Sequence, residues 1–310
     1  MRACWGALTS TGGPAQASAV IKTRSTLSSP GPTGPQARPA PGTLARLTSL
    51  GRPAIMGVVN VTPDSFSDGG RFLDPQRAIE HARRLAVDGA DILDIGAEST
   101  RPYGGMVAVS SEEELRRLAP VLPEVVTLGV PVSIDSMKAS VASVALEAGA
   151  SIVNDVWGLQ RDPDMARVVA EHAVPVIIMH NRDTADPAID IMADIAAFFL
   201  RSLDIAERAG VARNMIVLDP GIGFGKTPQQ SITAIARLGE LEPFGLPLLI
   251  GASRKRFIDS ISPAPPDQRI GGSIVSHLIA VESGATIVRT HDVAETVQAL
   301  RVAKAIREAR

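Results

Sequence analysis

Short apolar runs recur along the chain after residue 50, and each is followed by a polar residue, a loop and a stretch with helical spacing. Such a run is typical of a parallel strand buried on both faces, and apolar residues that recur every three or four positions indicate an amphipathic helix. The helical spacing is clearest at residues 75–87 and 189–209. The strand-like runs lie at residues 54–59, 92–95, 130–134, 152–153, 174–179, 215–218, 246–250 and 286–288.

The alternation of these eight runs with helices predicts a parallel sheet, because parallel strands need a long crossover connection between them. Eight such units within about 260 residues predict an α/β fold, the TIM-type (β/α)8 barrel. An open doubly wound sheet is the alternative, although it usually contains fewer strands. In a barrel the functional site lies where the strands end and the following loops begin.

The first 48 residues differ in composition from the rest and are predicted to form a disordered extension, with the barrel domain at residues 49–310. Residues 1–50 contain five basic residues, six prolines and no Asp or Glu. The remainder carries 26 Lys and Arg against 33 Asp and Glu. A transit peptide and a start site placed too far upstream are the alternatives, although the extension lacks an obvious amphipathic helix.

The overall composition excludes several classes of protein. With 45% hydrophobic residues a globular core is expected, and 31 Lys and Arg against 33 Asp and Glu leave no positive field to attract nucleic acid or anionic lipid. No apolar run in the sequence approaches the ~18 residues of a membrane span. The single cysteine, Cys4, cannot form an internal disulfide, which favours a reducing compartment. We therefore expect a cytoplasmic protein without nucleic-acid or membrane partners.

Polar side chains follow every apolar run, at the positions where the strands would end. A single polar residue there is ordinary turn chemistry, but a barrel brings all of its strand ends to one rim. The set therefore predicts a binding site on that rim. Its members are Asn60, Asp94, Asp135, Asn154, His180, Asp219, Ser253, Lys255, Arg289 and His291.

Four of these side chains suit a flat nitrogen-containing ring. Asp135 and Asp219 offer carboxylate acceptors. Asn154 adds an amide that both donates and accepts, and Lys255 adds a cationic donor. Because such a set can make several hydrogen bonds to a ring edge, it predicts a heterocycle pocket.

Arg289 and His291 indicate an anion site beside this pocket. They are two positions apart, so their side chains share one face of an extended segment, where a guanidinium and an imidazole suit a phosphate. Thr100 and Arg101, from the loop after the second run, can add to this site. The alternative for Arg289 is a salt bridge with a neighbouring aspartate.

The glycine-rich segment at residues 219–227 does not match the common nucleotide motifs. Pro220 stands where a Walker-type phosphate loop needs its first glycine, and Lys226 stands where a dinucleotide fingerprint needs its third. We expect these glycines to permit a tight turn or a close approach of the backbone to a ligand.

Several segments resemble signatures of the dihydropteroate synthases, a family of the folate pathway. The resemblance runs from about residue 50 to the C-terminus, and its motifs follow in the family's order. The sequence HNRD at residues 180–183 departs from the family's usual wording, which leaves the lining of the fifth loop open. The matching segments are IMGVVNVTPDSFSDGG at 55–70, DIGAESTRP at 94–102, SIDSMK at 133–138, NDV at 154–156, DPGIGFGKT at 219–227, SRK at 253–255 and RTHDV at 289–293.

The resemblance implies a barrel enzyme that condenses 6-hydroxymethyl-7,8-dihydropterin diphosphate with 4-aminobenzoate to give 7,8-dihydropteroate and pyrophosphate. It also implies Mg²⁺ as cofactor, held by Asn60, and a homodimer. The residues implied to bind the pterin diphosphate are Thr100, Asp135, Asn154, Asp219, Lys255, Arg289 and His291. Those implied to bind 4-aminobenzoate are Phe66, Arg101, Pro102 and Ser253. The implied catalytic residues are Arg101, Lys255, Arg289 and His291.

Two other functions compete with this interpretation. A methyltetrahydrofolate-dependent methyltransferase shares the pterin-binding barrel, but it does not need the loop at residues 99–102 or Ser253. A pterin-binding protein without turnover has little use for a diphosphate site, whereas Asn60, Arg289 and His291 are all present. The sequence therefore favours the synthase over both.

Overall fold

The computed structural model describes residues 42–62, 74–98 and 109–309, and its main feature is a closed barrel of parallel strands. Neighbouring strands are hydrogen-bonded in chain order, and β1 pairs with both β2 and β8. The predicted (β/α)8 barrel is thus confirmed, and the open sheet is excluded. The strands are β1 (Ala54–Asn60), β2 (Ile92–Gly96), β3 (Val132–Asp135), β4 (Ile152–Asp155), β5 (Val176–Met179), β6 (Ile216–Asp219), β7 (Leu248–Ile250) and β8 (Ala285–Thr290).

Helices connect successive strands, as the sequence predicts. Those within the described ranges are α1 (Thr43–Thr48), α2 (Pro75–Asp88), α3 (Ser111–Leu118), α4 (Leu122–Val125), α5 (Ala139–Glu147), α6 (Met165–His172), α7 (Ile191–Arg208), α8 (Pro228–Ala236), α9 (Arg256–Ile261), α10 (Ile270–Glu282) and α11 (Val293–Glu308). α2 begins after Asp74, whose side chain accepts from two amides of the first turn, and it ends at Gly89 in the left-handed conformation. Asp190 caps α7 in the same way. Both helices predicted from spacing are confirmed.

Side chains of each strand alternate between the helices outside the barrel and the barrel interior. In β1, Ile55 and Val59 pack with the helices, whereas Ala54 and Met56 belong to a separate buried cluster inside the barrel. Towards the carboxyl ends of the strands the interior positions become polar. The barrel therefore has an apolar half and a polar half. The other strand residues of the interior apolar cluster are Ile92, Ile152, Ile177, Val217, Leu249 and Ile287.

Helix α1 covers the amino-terminal end of the barrel. Leu44 and Leu47 are 4% and 2% exposed, and both pack into the interior apolar cluster. Residues 43–48 were predicted to belong to the extension, and this part of the prediction is wrong. The two leucines are three positions apart, so they share one face of the helix, and the strand ends bury this face. Six residues are too few for a periodic pattern to stand out. Residues 1–41 lie outside the described residues, so the prediction for them stays a prediction.

Among the described residues, no helix combines the length and apolar character that crossing a membrane needs. The cytoplasmic location stays a prediction from the sequence.

We expect Leu47→Ala to lower the free energy of unfolding by about 2–5 kcal/mol, because it leaves a cavity beneath the barrel interior. Leu50→Ala is the matched control, since Leu50 is 38% exposed and its truncation is expected to cost less than about 0.5 kcal/mol. Urea denaturation followed by circular dichroism measures both. Equal effects of the two substitutions would show that α1 does not support the barrel.

Candidate active site

The polar interior side chains line one cavity and an adjoining recess at the carboxyl ends of the strands. The cavity has a volume of about 340 Å³. Both are bordered by Asp135, Phe224, Lys255 and Arg289, so they form one continuous site. The cavity is also lined by Asn60, Glu98, Lys226, Ser253 and His291, among others. The recess is also lined by Asn154, Val156, Met179, Asp219 and Ile222.

Of the ten strand-end residues predicted to form the site, eight border the cavity or the recess, and Asp94 and His180 do not. The eight are Asn60, Asp135, Asn154, Asp219, Ser253, Lys255, Arg289 and His291. Phe66, Thr100, Arg101 and Pro102 lie outside the described residues, so their places in the site stay predictions. Successive strand ends, which are 20 to 40 residues apart in sequence, are thus brought together by barrel closure.

A buried ion-pair cluster lies at the inner end of the cavity. Arg289 Nε donates to Asp94 Oδ2 at 2.6 Å, and Nη2 donates to Asp135 Oδ2 at 2.8 Å. Asn154 Nδ2 donates to the same oxygen of Asp94 at 3.1 Å. The sequence left Arg289 open between a phosphate ligand and a partner of an aspartate, and the structure pairs it with two aspartates. The sequence indicated Asp94 only as a strand-end residue and did not predict its contact with Arg289, because sequence spacing does not reveal contacts across a barrel.

Asp135 has an unusual proton affinity for a carboxyl group. Burial, followed by the charge of Asp94, raises its pKa to about 7, and Arg289 offsets only part of this effect. Among the described residues, none donates a hydrogen bond to Asp135 Oδ1. A buried acceptor without a donor is unfavourable, so this oxygen is suited to receive an N–H group of a ligand.

The recess has apolar faces and polar edges. Met179 and Phe224 belong to a small buried apolar cluster, and Lys255 Nζ lies 4.0 Å from the centroid of the Phe224 ring. Asp219 Oδ1 accepts the amide of Gly221 at 2.7 Å, and burial raises the pKa of this carboxyl. A thin, flat group with polar edges matches this shape.

Ser253 and His291 form a pair on another wall of the cavity. Ser253 Oγ lies 3.0 Å from His291 Nδ1 and accepts the amide of His291 at 3.2 Å. Ser253 is buried, and its hydroxyl thereby orients the imidazole. Its predicted contact with 4-aminobenzoate stays a prediction. Asn60, at the end of β1, is exposed to the same cavity.

A charged cluster ties together the two ends of the loop at residues 99–108, which itself lies outside the described residues. Glu98 accepts the amide of Val109 at 3.0 Å. Lys138 Nζ bridges Glu98 at 2.5 Å and the fully buried Glu114 at 2.8 Å. The sequence analysis missed Lys138 and Glu114 because neither lies at a strand end.

His180 follows β5 but does not border the cavity or the recess. Its ring is buried between Asp194, 3.0 Å from Nε2, and Lys226, whose Nζ lies 2.6 Å from Nδ1. Asp183 is exposed and pairs with Arg161. Of this strand and its loop, Met179 is the residue that reaches the recess, which answers the question that the HNRD sequence left open.

Comparison with known proteins places this geometry in a class. The family model described as pterin binding enzyme matches residues 56–291. The matched range contains β2 to β8, all but the first two residues of β1, and the cavity residues up to His291. The fold, the site and this match together define a pterin-binding enzyme.

Individual relatives narrow the class. The dihydropteroate synthase of Bacillus subtilis (strain 168) is 44% identical over 253 residues, which cover 81% of this chain and 88% of that protein. The crystal structure of the Xanthomonas albilineans dihydropteroate synthase with 4-aminobenzoic acid is 44% identical with a TM-score of 0.78, covering 83% of this chain and 93% of that chain. The same enzyme in complex with 7,8-dihydropteroate gives 42% identity and a TM-score of 0.75, over 84% and 95% of the two chains. The chain belongs to the dihydropteroate synthase family, a family of transferases, and the resemblance drawn from the sequence is confirmed.

We expect Lys138→Met to lower the free energy of unfolding by about 3–5 kcal/mol at pH 7, because it leaves the buried Glu114 without its counter-charge. Lys304→Met is the matched control: it breaks an exposed pair with Glu308 and should change stability by less than about 1 kcal/mol. Urea unfolding at pH 7 tests this, and equal losses in both variants would contradict it.

Proposed function

We propose that this chain condenses 6-hydroxymethyl-7,8-dihydropterin diphosphate with 4-aminobenzoate to form 7,8-dihydropteroate and pyrophosphate. The observation that carries the proposal is the joined pair of spaces: a flat recess with polar edges adjoins a cavity that holds Asn60, Arg289 and His291. A ring with a charged group attached to it fits such a site. The ligands of the Xanthomonas albilineans structures, 4-aminobenzoic acid and 7,8-dihydropteroate, are consistent with it.

The recess is assigned to the pterin ring. Asp135 and Asp219 would accept ring N–H groups, and burial raises the pKa of both carboxyl groups because it disfavours their charged forms. Asn154 and Lys255 would complete the polar edge. Met179 and Phe224 would cover the faces of the ring, which explains the small apolar cluster among the polar strand ends.

The diphosphate is assigned to the cavity beside the recess. Arg289 and His291 line it, and Thr100 is expected to join them. Within the described residues, no three His, Cys, Asp or Glu side chains are grouped to hold a metal ion. A hydrated Mg²⁺ needs only one or two protein oxygens when it also takes phosphate oxygens, so the exposed amide of Asn60 fits it. When bound, the ion offsets negative charge on the departing diphosphate.

The reaction then needs charge stabilisation and positioning more than a protein nucleophile. The bond between the exocyclic carbon and the diphosphate oxygen breaks, and its electron pair leaves with the diphosphate beside Arg289 and His291. The neutral amine of 4-aminobenzoate adds to the electron-poor carbon and afterwards loses a proton to solvent. Lys255 and Arg289 hold the pterin side, and Arg101, Pro102, Phe66 and Ser253 are proposed to hold the aminobenzoate side.

The test is pyrophosphate release from the purified protein with the pterin diphosphate and Mg²⁺, with and without 4-aminobenzoate. Asp219→Asn is expected to lower kcat/KM for the pterin about 10- to 100-fold, because it removes a charged acceptor from the recess. His291→Ala is expected to lower kcat by a similar factor through poorer stabilisation of the leaving group. A substitution of Arg289 is a poor test of the reaction, since its removal would leave Asp94 and Asp135 buried without a cation.

Two substitutions outside the site serve as controls. Asp204→Asn changes an exposed carboxylate of α7, and His172→Ala changes the last residue of α6. Both should leave kcat and KM unchanged. Pyrophosphate release that does not depend on 4-aminobenzoate, or equal losses of activity in the site and control variants, would contradict the proposed function.

We also propose that the chain forms a homodimer through α10. Val275 and Ile279 lie one turn apart on this helix and are 56% and 45% exposed. The neighbouring α11 exposes Val302 and Ile306 in the same manner. Exposed apolar side chains on two adjacent helices are typical of a protein–protein interface.

Sedimentation equilibrium tests the dimer. Ile279→Lys is expected to weaken the dimer at least about tenfold, since it buries a charge in the interface. Leu200→Lys is the control, because Leu200 is 62% exposed on α7, away from α10. A monomeric unmodified protein, or equal weakening by both substitutions, would count against this interface.

A further inference from the structure

Lys226 is a buried cation that the proposed reaction does not use. Its side chain is 2% exposed. Nζ lies 2.9 Å from the Gly221 carbonyl oxygen, 3.1 Å from the Phe224 carbonyl oxygen and 2.6 Å from His180 Nδ1. An ammonium group has three protons and no acceptor, so these three acceptors use all of its donors. The charged form of Lys226 therefore matches its surroundings.

His180 is held as a neutral acceptor for this ammonium. Its Nε2 lies 3.0 Å from Asp194 Oδ2, which also accepts Arg182 Nη1 at 2.8 Å. Burial, followed by the charge of Lys226, lowers the pKa of His180 to about 3, so the imidazole is neutral at pH 7. We assign its proton to Nε2, which donates to Asp194, and the lone pair of Nδ1 accepts from Lys226.

The glycine-rich loop lies directly against the segment that follows β5. A Cβ atom on Gly221 would lie 1.9 Å from the carbonyl oxygen of His180, and one on Gly225 would lie 2.4 Å from Arg182 Cβ. Both glycines have positive φ angles, so no other residue would fit. Lys226 joins these two segments, and the loop that it holds carries Phe224, which faces Lys255.

We propose that Lys226 is a positioning residue for the pterin recess: its ammonium fixes the Gly221 and Phe224 carbonyls, and thereby the Phe224 ring, and this hold weakens when the ammonium loses its proton. The inference rests on the proposed function of the recess. It assigns Lys226 no contact with the reacting atoms. His180 and Asp194 act through Lys226, as its oriented acceptor and its counter-charge.

Charged groups from several elements face Lys226 and set its protonation. Burial is the largest influence and lowers its pKa to about 7. Asp219 on β6 and Asp194 on α7 raise it, whereas Lys255 after β7 and Arg182 after β5 lower it. A neutral amine has two protons to donate instead of three, so one acceptor is lost as the pH rises through this value. Pterin affinity should therefore decline above pH 7.

The test measures the Kd of 6-hydroxymethyl-7,8-dihydropterin diphosphate with Mg²⁺ by calorimetry from pH 6 to pH 9. Asp194→Asn keeps an oxygen for the Nε2 proton of His180 but removes a charge that raises the pKa of Lys226. We expect the decline in affinity to move to lower pH by about half a unit or more. Asp183→Asn, an exposed carboxylate of the same loop, should leave the profile unchanged. Ionisations of the substrate appear in every profile and cancel in the comparison.

Lys226→Met provides a second measurement. It should raise the Kd for the pterin diphosphate at least about tenfold at pH 6.5, while the KM for 4-aminobenzoate changes less than about twofold. In a protein that carries Lys226→Met, Asp194→Asn should no longer shift the pH profile of the Kd. An unshifted profile in Asp194→Asn overturns the inference. Because the readout is binding, absence of turnover together with the expected profile would count against the proposed function alone.

Discussion

The ion pairs of Arg289 with Asp94 and Asp135 are the interaction on which the site depends. Taking a charge out of water is costly, and each of these three groups is compensated only because the others are present. Arg289 lies on β8, whereas the aspartates lie on β2 and β3, so the cluster links strands on both sides of β1. The same contacts that balance charge also fix the separation of the strand ends. The raised pKa of Asp135 shows that the balance is incomplete, which leaves this carboxyl ready for a donor from a ligand.

The two halves of the barrel interior have different roles: one contributes to stability and the other forms the candidate active site. At the amino-terminal end, apolar strand residues and the two leucines of α1 exclude water. At the carboxyl end, the interior positions carry charge, and the recess among them retains two apolar faces from Met179 and Phe224. Because the larger apolar cluster between the strands and the helices contributes most of the hydrophobic burial, the polar half of the interior can hold carboxylates whose oxygens do not all receive a hydrogen bond. Such a division suits an enzyme whose ligand supplies the missing hydrogen bonds.

Lysine side chains also join separate segments beside the site. Lys138 joins the segments of Glu98 and Glu114 through their carboxylates, and Lys226 holds the carbonyl oxygens of Gly221 and Phe224. Lys226 takes the place of regular secondary structure as the donor to these carbonyls, since irregular backbone must satisfy its polar groups in some other way.

The sequence by itself determined the eight strand–helix units and the polar residues at the strand ends, because alternating burial leaves a periodic pattern and parallel strands end on one side. It also carried the family motifs, since they are local. The tertiary structure alone decided which polar groups meet: Arg289 with Asp94 and Asp135, and Lys226 with His180. It also showed that residues 43–48 form a helix beneath the barrel. These contacts join residues far apart in the chain, or depend on a surface that exists only after the barrel closes, and neither leaves a period in the sequence.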